Sequence, residues 1–207
     1  RPPRSTQGVS SAASDVYKRQ DASIYQIEPV GVVLPRTEED VIATVETAAH
    51  HGFPILPRGG GTSLAGQTVG NAVILDFSKY MHSVIETNTE EGWVRVQPGI
   101  ILDELNQELQ WTGLHFAPDP STSNRGNVGG ALGNNSCGAH SIVWGKTIDN
   151  GEEVRVVLYN GDTSNFGLLD ESQLQMKIRG STLESQFYRH LLSICLLYTS
   201  DAADDTP

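Results

Sequence analysis

Residues 58–68 read RGGGTSLAGQT. Three successive glycines open backbone conformations that a Cβ forbids, positive φ among them. They also let a ligand approach the main chain closely. Consecutive N–H groups turned inward form an anion-binding nest. Thr62 and Ser63 add hydroxyl donors and Gln67 an amide, so Arg58, Gly59, Gly60, Gly61, Thr62, Ser63 and Gln67 together have the chemistry of a pyrophosphate cradle. A plain surface turn needs no such glycine triplet directly after proline and arginine. Two common phosphate motifs fail here. The dinucleotide fingerprint G-x-G-x-x-G meets Leu64 at its third glycine, and the G-x-x-x-x-G-K-[ST] loop meets Gln67 where lysine must reach the phosphates.

The flanks set the loop between strands. Residues 54–57 read as a brief strand before it and 72–77 (AVILDF) as one after it, whereas a nucleotide triphosphatase loop needs a helix there. Upstream, 29–35 (PVGVVLP) suggests another strand. Thr37 with Glu38, Glu39 and Asp40 offers a helix start, Val41, Val45 and Ala48 one apolar face, and Gly52 a C-cap. His50 and His51 should then face water at the helix end. Downstream, 81–86 and 93–97 (WVRVQ) suggest strands, the second stopped by Pro98-Gly99. Ile101, Leu105 and Leu109 give a second amphipathic helix ending at Gly113. Residues 154–159 (VRVVLY) form a strand before the Asn160-Gly161 hairpin signal, and 183–192 reads as helix. Strands and helices mix without a regular βαβ beat, which predicts an α+β fold.

A second long polar stretch spans 116–141. Pro118-Asp119-Pro120-Ser121-Thr122 fixes backbone and then supplies hydroxyls; Gly129-Gly130 and Asn134-Asn135-Ser136-Cys137-Gly138-Ala139-His140-Ser141 follow. Such a density of small residues suits close approach to something flat or bulky. Two long polar loops in one compact chain point to function. The lone Cys137 is expected to be packed, and His140 to be a hydrogen-bonded structural histidine. His82 and His115 suggest no metal site.

Composition narrows the classes. Of 207 residues 38% are hydrophobic and 19% charged, with a formal net charge of −11. That is enough for a core and too apolar for a disordered chain. No apolar run reaches a bilayer's thickness. The acidity argues against nucleic acid as a partner, and two cysteines exclude a four-cysteine metal or Fe–S site within the chain. Both ends look foreign. Back-translations of 15–20 (DVYKRQ) and 195–200 (CLLYTS) are reverse complements over their shared length, the pattern of translated sequencing adapter. The expected organisation is therefore non-native tails at 1–20 and 195–207, around a truncated native stretch at 21–194.

The order RGGGTSLAGQ, PGIILDELN, PDPSTSNRGNVGGALGNNSCG and a later strand resembles the FAD-binding domain of the vanillyl-alcohol oxidase/p-cresol methylhydroxylase (PCMH-type) family. Within it, the chain is similar to FAD-linked dehydrogenases of D-2-hydroxy acids such as D-lactate and D-2-hydroxyglutarate, in particular to long members with a fused C-terminal Fe–S region. The resemblance covers residues 27–167. It implies two α+β subdomains, about 21–80 and 81–194, clasping FAD. It puts 58–63 and Gln67 around the pyrophosphate. Pro118, Asp119, Ser121 and Thr122 would lie beside the flavin and ribityl chain, and Gly129, Gly130, Asn134, Gly138 and Ser141 along the remaining cofactor surface, with Trp144 and Gly145 nearby. No histidine stands in the first loop, so the FAD should be non-covalent.

The implied chemistry is hydride transfer from a 2-hydroxy acid to flavin N5. The base, carboxylate clamp, any metal and any Fe–S cluster would lie further along a longer chain, so no catalytic residue is named. The partners would be the small-molecule substrate and an electron acceptor: oxygen, a quinone, a flavoprotein or a fused Fe–S domain. A cytoplasmic place is expected, peripheral to the inner membrane as an alternative. The competing functions are another PCMH-type enzyme, acting on an aromatic alcohol, a sugar or an enolpyruvyl-UDP-sugar, and a non-catalytic nucleotide-binding module.

Overall fold

The structure, a computed structural model, describes the backbone of residues 20–204 and the side chains of residues 20–194. The tail-like sequence at 1–19 and 205–207 lies outside the described residues. The chain divides into two compact units. The first holds the described residues up to Gly151 with Tyr159–Gly161, and the second holds Glu152–Leu158 and the chain from Asp162 on. This cut differs from the subdomain division expected near residue 80.

The first unit opens with strand β1 (Gly31–Val33) and helix α1 (Glu38–His51). Thr37, in extended conformation, accepts the Asp40 N–H on its Oγ1 at 3.3 Å, and three acids fill the first turn. Both suit the positive end of the helix dipole. Gly52 at φ 72 ends the helix, as only a residue free to enter the left-handed region does easily. Val41, Val45 and Ala48 are buried, while His50 and His51 are exposed at the C-terminus.

Strands β2 (Ile55–Arg58) and β3 (Val73–Asp76) follow, and the sheet order is β1-β3-β2, all parallel. Ile74 and Leu75 of the central strand are 0% and 1% exposed. Burying each is worth about 1.5–3 kcal/mol. α1 carries the chain from β1 across to β2. The step from β2 to its parallel neighbour β3 is made by the glycine-rich loop instead of a helix. That loop leaves the carboxyl end of β2, the edge where parallel sheets commonly receive ligands.

Strands β4 (Val84–Asn88) and β5 (Trp93–Val96) form an antiparallel hairpin with an irregularity between Val84 and Glu86. Asn88 Oδ1 accepts the N–H groups of Glu90 and Glu91, and Gly92 turns at φ 80. Helix α2 (Leu102–Leu109) buries Leu102, Leu105 and Leu109. Ile101, expected on that apolar face, is extended and bridges Asn127 instead. The core here is Ile100, Leu105 and Leu109, with Val84, Val94, Val96, Leu114, Phe116 and Val128 packed around it. Two short helices that the sequence pattern did not suggest follow, α3 (Val128–Gly133) and α4 (Ser141–Trp144).

In the second unit, β6 (Glu153–Val157) pairs antiparallel with β7 (Thr163–Gly167). Leu158 N–H to Asp162 O closes the hairpin, and Gly161 takes φ 90 in the turn that Asn160-Gly161 signalled. Helix α5 (Glu171–Arg179) was not anticipated. It begins at a reciprocal cap in which Asp170 accepts from the Gln173 backbone and Gln173 returns to the Asp170 N–H. Helix α6 (Leu183–Asp204) continues past residue 194 without a break.

Candidate cofactor site

The glycine loop is braced from outside. Arg58 is 4% exposed and turned under the loop, its Nη1 donating to Thr68 O at 2.8 Å and its Nη2 to Gln20 O at 2.5 Å. The first bond ties the loop's two ends together. Thr68 Oγ1 donates to Asp21 Oδ2, and Gly61 O accepts the Ala22 N–H. Tyr25 closes on Gly66, where an added Cβ would stand 2.7 Å from its ring. Residues 20–25 therefore wrap the loop's outer side, a role their sequence did not reveal. Ser63 Oγ is hydrogen-bonded to Gln67 Oε1 and accepts the Gln67 N–H, which makes 63–67 a self-bonded turn.

The loop's inner side is bare. Among the described residues, no protein acceptor takes an N–H from Gly59, Gly60, Gly61, Thr62 or Ser63. Gly61 has φ 66. At Gly59 and Gly60 the need is space. A Cβ on Gly60 would lie 2.2 Å from Arg125 O, and one on Gly59 2.5 Å from Asn127 Oδ1. The glycines thus let the first loop lie directly against the second.

The second loop, in contrast, is braced by bonds within itself. Gly126 N–H donates to Thr122 O, Ser123 N–H to Pro120 O, and Ala139 N–H to Asp119 O. Asp119 is in the left-handed region at φ 50, and Gly138 packs so closely that a Cβ there would be 1.9 Å from Asp119 O. Ser141 Oγ accepts the Gly138 N–H at 3.0 Å. His140 Nδ1 lies 3.6 Å from Asp119 Oδ2 and packs edge-on to Trp144. Cys137 is exposed, which corrects the packed thiol expected from its small neighbours. The backbone turn around it is held by Ser136 N–H to Ala131 O and by the Gly138–Ser141 bond, so no thiol packing is required.

One cavity gathers both loops. Its lining includes Gly59, Gly60, Gly61, Thr62 and Ser63 from the first, and Thr122, Gly130 and Asn134 from the second, all expected site residues. The other expected residues stand off its wall. Arg58 and Gln67 brace the first loop; Pro118, Asp119, Gly138 and Ser141 shape the second; Ser121 is exposed; Gly129 packs on Pro98. Thr68, Leu102, Pro120, Gly126, Asn127, Ala131 and Ser136 also line it. No lysine or arginine does, so an anion there would be held by neutral donors, backbone N–H groups and side-chain hydroxyls, and not by a charged side chain. Asn127 is 3% exposed. Its Nδ2 donates to Gly99 O, while its Oδ1 is buried without a partner among the described residues.

These features fit a pyrophosphate-bearing cofactor: unspent amides, a floor a Cβ would fill and an orphaned polar atom beside them. Residues 29–167 match the FAD binding domain family. The chain is 42% identical over 173 residues to D-2-hydroxyglutarate dehydrogenase of Escherichia coli K12, covering 82% of this chain and 16% of that protein. It is 34% identical over 161 residues to the glycolate oxidase subunit GlcD of Bacillus subtilis, covering 76% of this chain and 34% of that one. It thus spans about a sixth of the length of the D-2-hydroxyglutarate dehydrogenases it matches. Among solved structures, 6-hydroxy-D-nicotine oxidase from Arthrobacter nicotinovorans shares the fold at TM-score 0.71 and 24% identity, over 87% of this chain and 40% of that one. Among the described residues no helix is long and apolar enough to cross a membrane. With the two loops meeting on one cavity as a clasped dinucleotide requires, the chain belongs to the FAD binding domain family.

Proposed function

We propose that this chain is the flavin-holding part of a dehydrogenase that oxidises a D-2-hydroxy acid, a 2-hydroxyglutarate- or lactate-like substrate. The observation that carries the reading is the row of unspent amides from Gly59 to Ser63, in residues that line a cavity whose far wall is the second loop. The relatives' names supply the substrate class.

FAD, when bound, would accept the electrons that the alcohol carbon gives up. The chain's own residues hold and orient. The amides of Gly59, Gly60, Gly61, Thr62 and Ser63 would take the pyrophosphate oxygens, and Arg58 keeps the loop closed from below. Pro120, Thr122 and Gly130 would form the floor beside the ribityl chain, with Asn134 at its edge. Leu102 and Ala131 give that floor apolar surface and exclude water there. This chain is assigned no group that takes the substrate's hydroxyl proton, and the acceptor that reoxidises the cofactor would be a quinone, a flavoprotein or a fused Fe–S domain.

The test is anaerobic titration of the full-length flavoprotein with D-2-hydroxyglutarate and D-lactate. Bleaching of the visible flavin absorbance by either D-acid, and not by the L-forms, is expected. A protein that binds FAD but is bleached by neither would overturn the substrate class.

A further inference from the structure

Two complementary defects lie side by side in the cavity. The loop amides from Gly59 to Ser63 donate to no protein acceptor among the described residues. Asn127 Oδ1, under the same loop, is buried and accepts from no donor among the described residues. The orientation of this carboxamide is fixed, because Nδ2 faces Gly99 O and a carbonyl can only accept. Oδ1 must therefore point at the loop. It lies 2.5 Å from where a Cβ on Gly59 would be and 3.3 Å from one on Gly60. Gly59 and Gly60 cover it, so a donor is to be sought in the loop itself. The peptides joining Gly59, Gly60 and Gly61 can each rotate as a unit, since no Cβ stands on either flank to resist.

We propose that Asn127 is a positioning residue that competes with the cofactor's phosphate for one amide of the Gly59–Gly61 segment. Without cofactor, a peptide of the triplet turns inward and donates to Asn127 Oδ1. With cofactor, the peptide turns outward and the amide serves the phosphate. The triplet is then needed for motion as well as for space. The apparent affinity for FAD is lowered by the fraction of loops held inward, and Asn127 sets that fraction. This inference rests on the FAD reading, and failure of the wild-type protein to bind FAD would refute that reading instead.

The experiment measures FAD binding to the full-length apoprotein by flavin fluorescence and stopped flow. In the wild type, the association rate should level off at high FAD, because loop rotation gates binding. Asn127→Leu keeps the bulk and removes the acceptor. It should tighten FAD binding about fivefold, the worth of one net hydrogen bond, and raise the plateau rate. A Leu variant of unchanged thermal stability that binds FAD more weakly would overturn the proposal, because Asn127 would then contact the cofactor directly. Unchanged affinity would overturn it too. Should the variant fold poorly, the wild-type kinetics decide alone: a rate linear in FAD up to the diffusion limit would sink the gate.

Discussion

The two loops that face each other across the cavity are built on opposite principles. The first, 59–63, leaves its amides unspent and is steadied from behind by Arg58, Asp21 and Tyr25. The second, 118–141, is braced by internal bonds at Asp119, Thr122 and Ser141, with Asn127 Oδ1 left over, and presents a preformed wall. A binding surface for a dianion must keep donors free, and those donors stay in place only if something else carries the stability. Net charge −11 sharpens the point, because the protein's overall field repels the ligand that the loop attracts.

Substitutions on the two sides should therefore fail in different ways. The largest effect is expected for Gly60→Val, whose Cβ would meet Arg125 O. Absorbance of the purified full-length protein should show flavin content falling to near zero while circular dichroism stays native. Retained flavin would break the contrast. Gly138→Ala strikes the scaffold, where Asp119 O blocks the new methyl. It should cost about 1–3 kcal/mol in urea unfolding, the usual penalty of overpacking, and reduce flavin binding only through that loss. Thr37→Ala, far from both loops, removes the α1 cap and should cost about 1 kcal/mol with flavin content unchanged.

Much of the first unit was legible because its signals are local. The α1 stripe, its cap and Gly52 sit within one helix, and the glycine triplet advertises itself. Asn127 was not legible. In RGNVGG it looks like one more polar loop residue, and only the crossing of Gly59 over it makes it buried. α3 was missed because glycines at 129, 130 and 133 contradict helix propensity, and bonds such as Gly129 N–H to Pro98 O hold its start in place. Ile101 fits the helical period, yet its pairing with Asn127 moved the helix start one residue on. The β1-β3-β2 order is not written in periodicity at all.

The smallest predicted effect lies in the second unit. The Gln173 backbone N–H and the Ser172 hydroxyl hold the exposed Asp170 carboxyl below its ordinary 3.8. A depressed carboxyl supports the α5 start fully above the ordinary value, and that support fades as pH falls through the lowered one. Asp170→Asn should flatten this acid sensitivity, read as helical signal against pH. An unchanged profile would remove Asp170 from the account.

The central claim is tested most directly by determining the structure of the full-length protein with FAD bound. The account predicts pyrophosphate oxygens about 3 Å from the amides of residues 59–63, with the flavin against the second loop. A pyrophosphate bound elsewhere, with those amides facing only water, would contradict it.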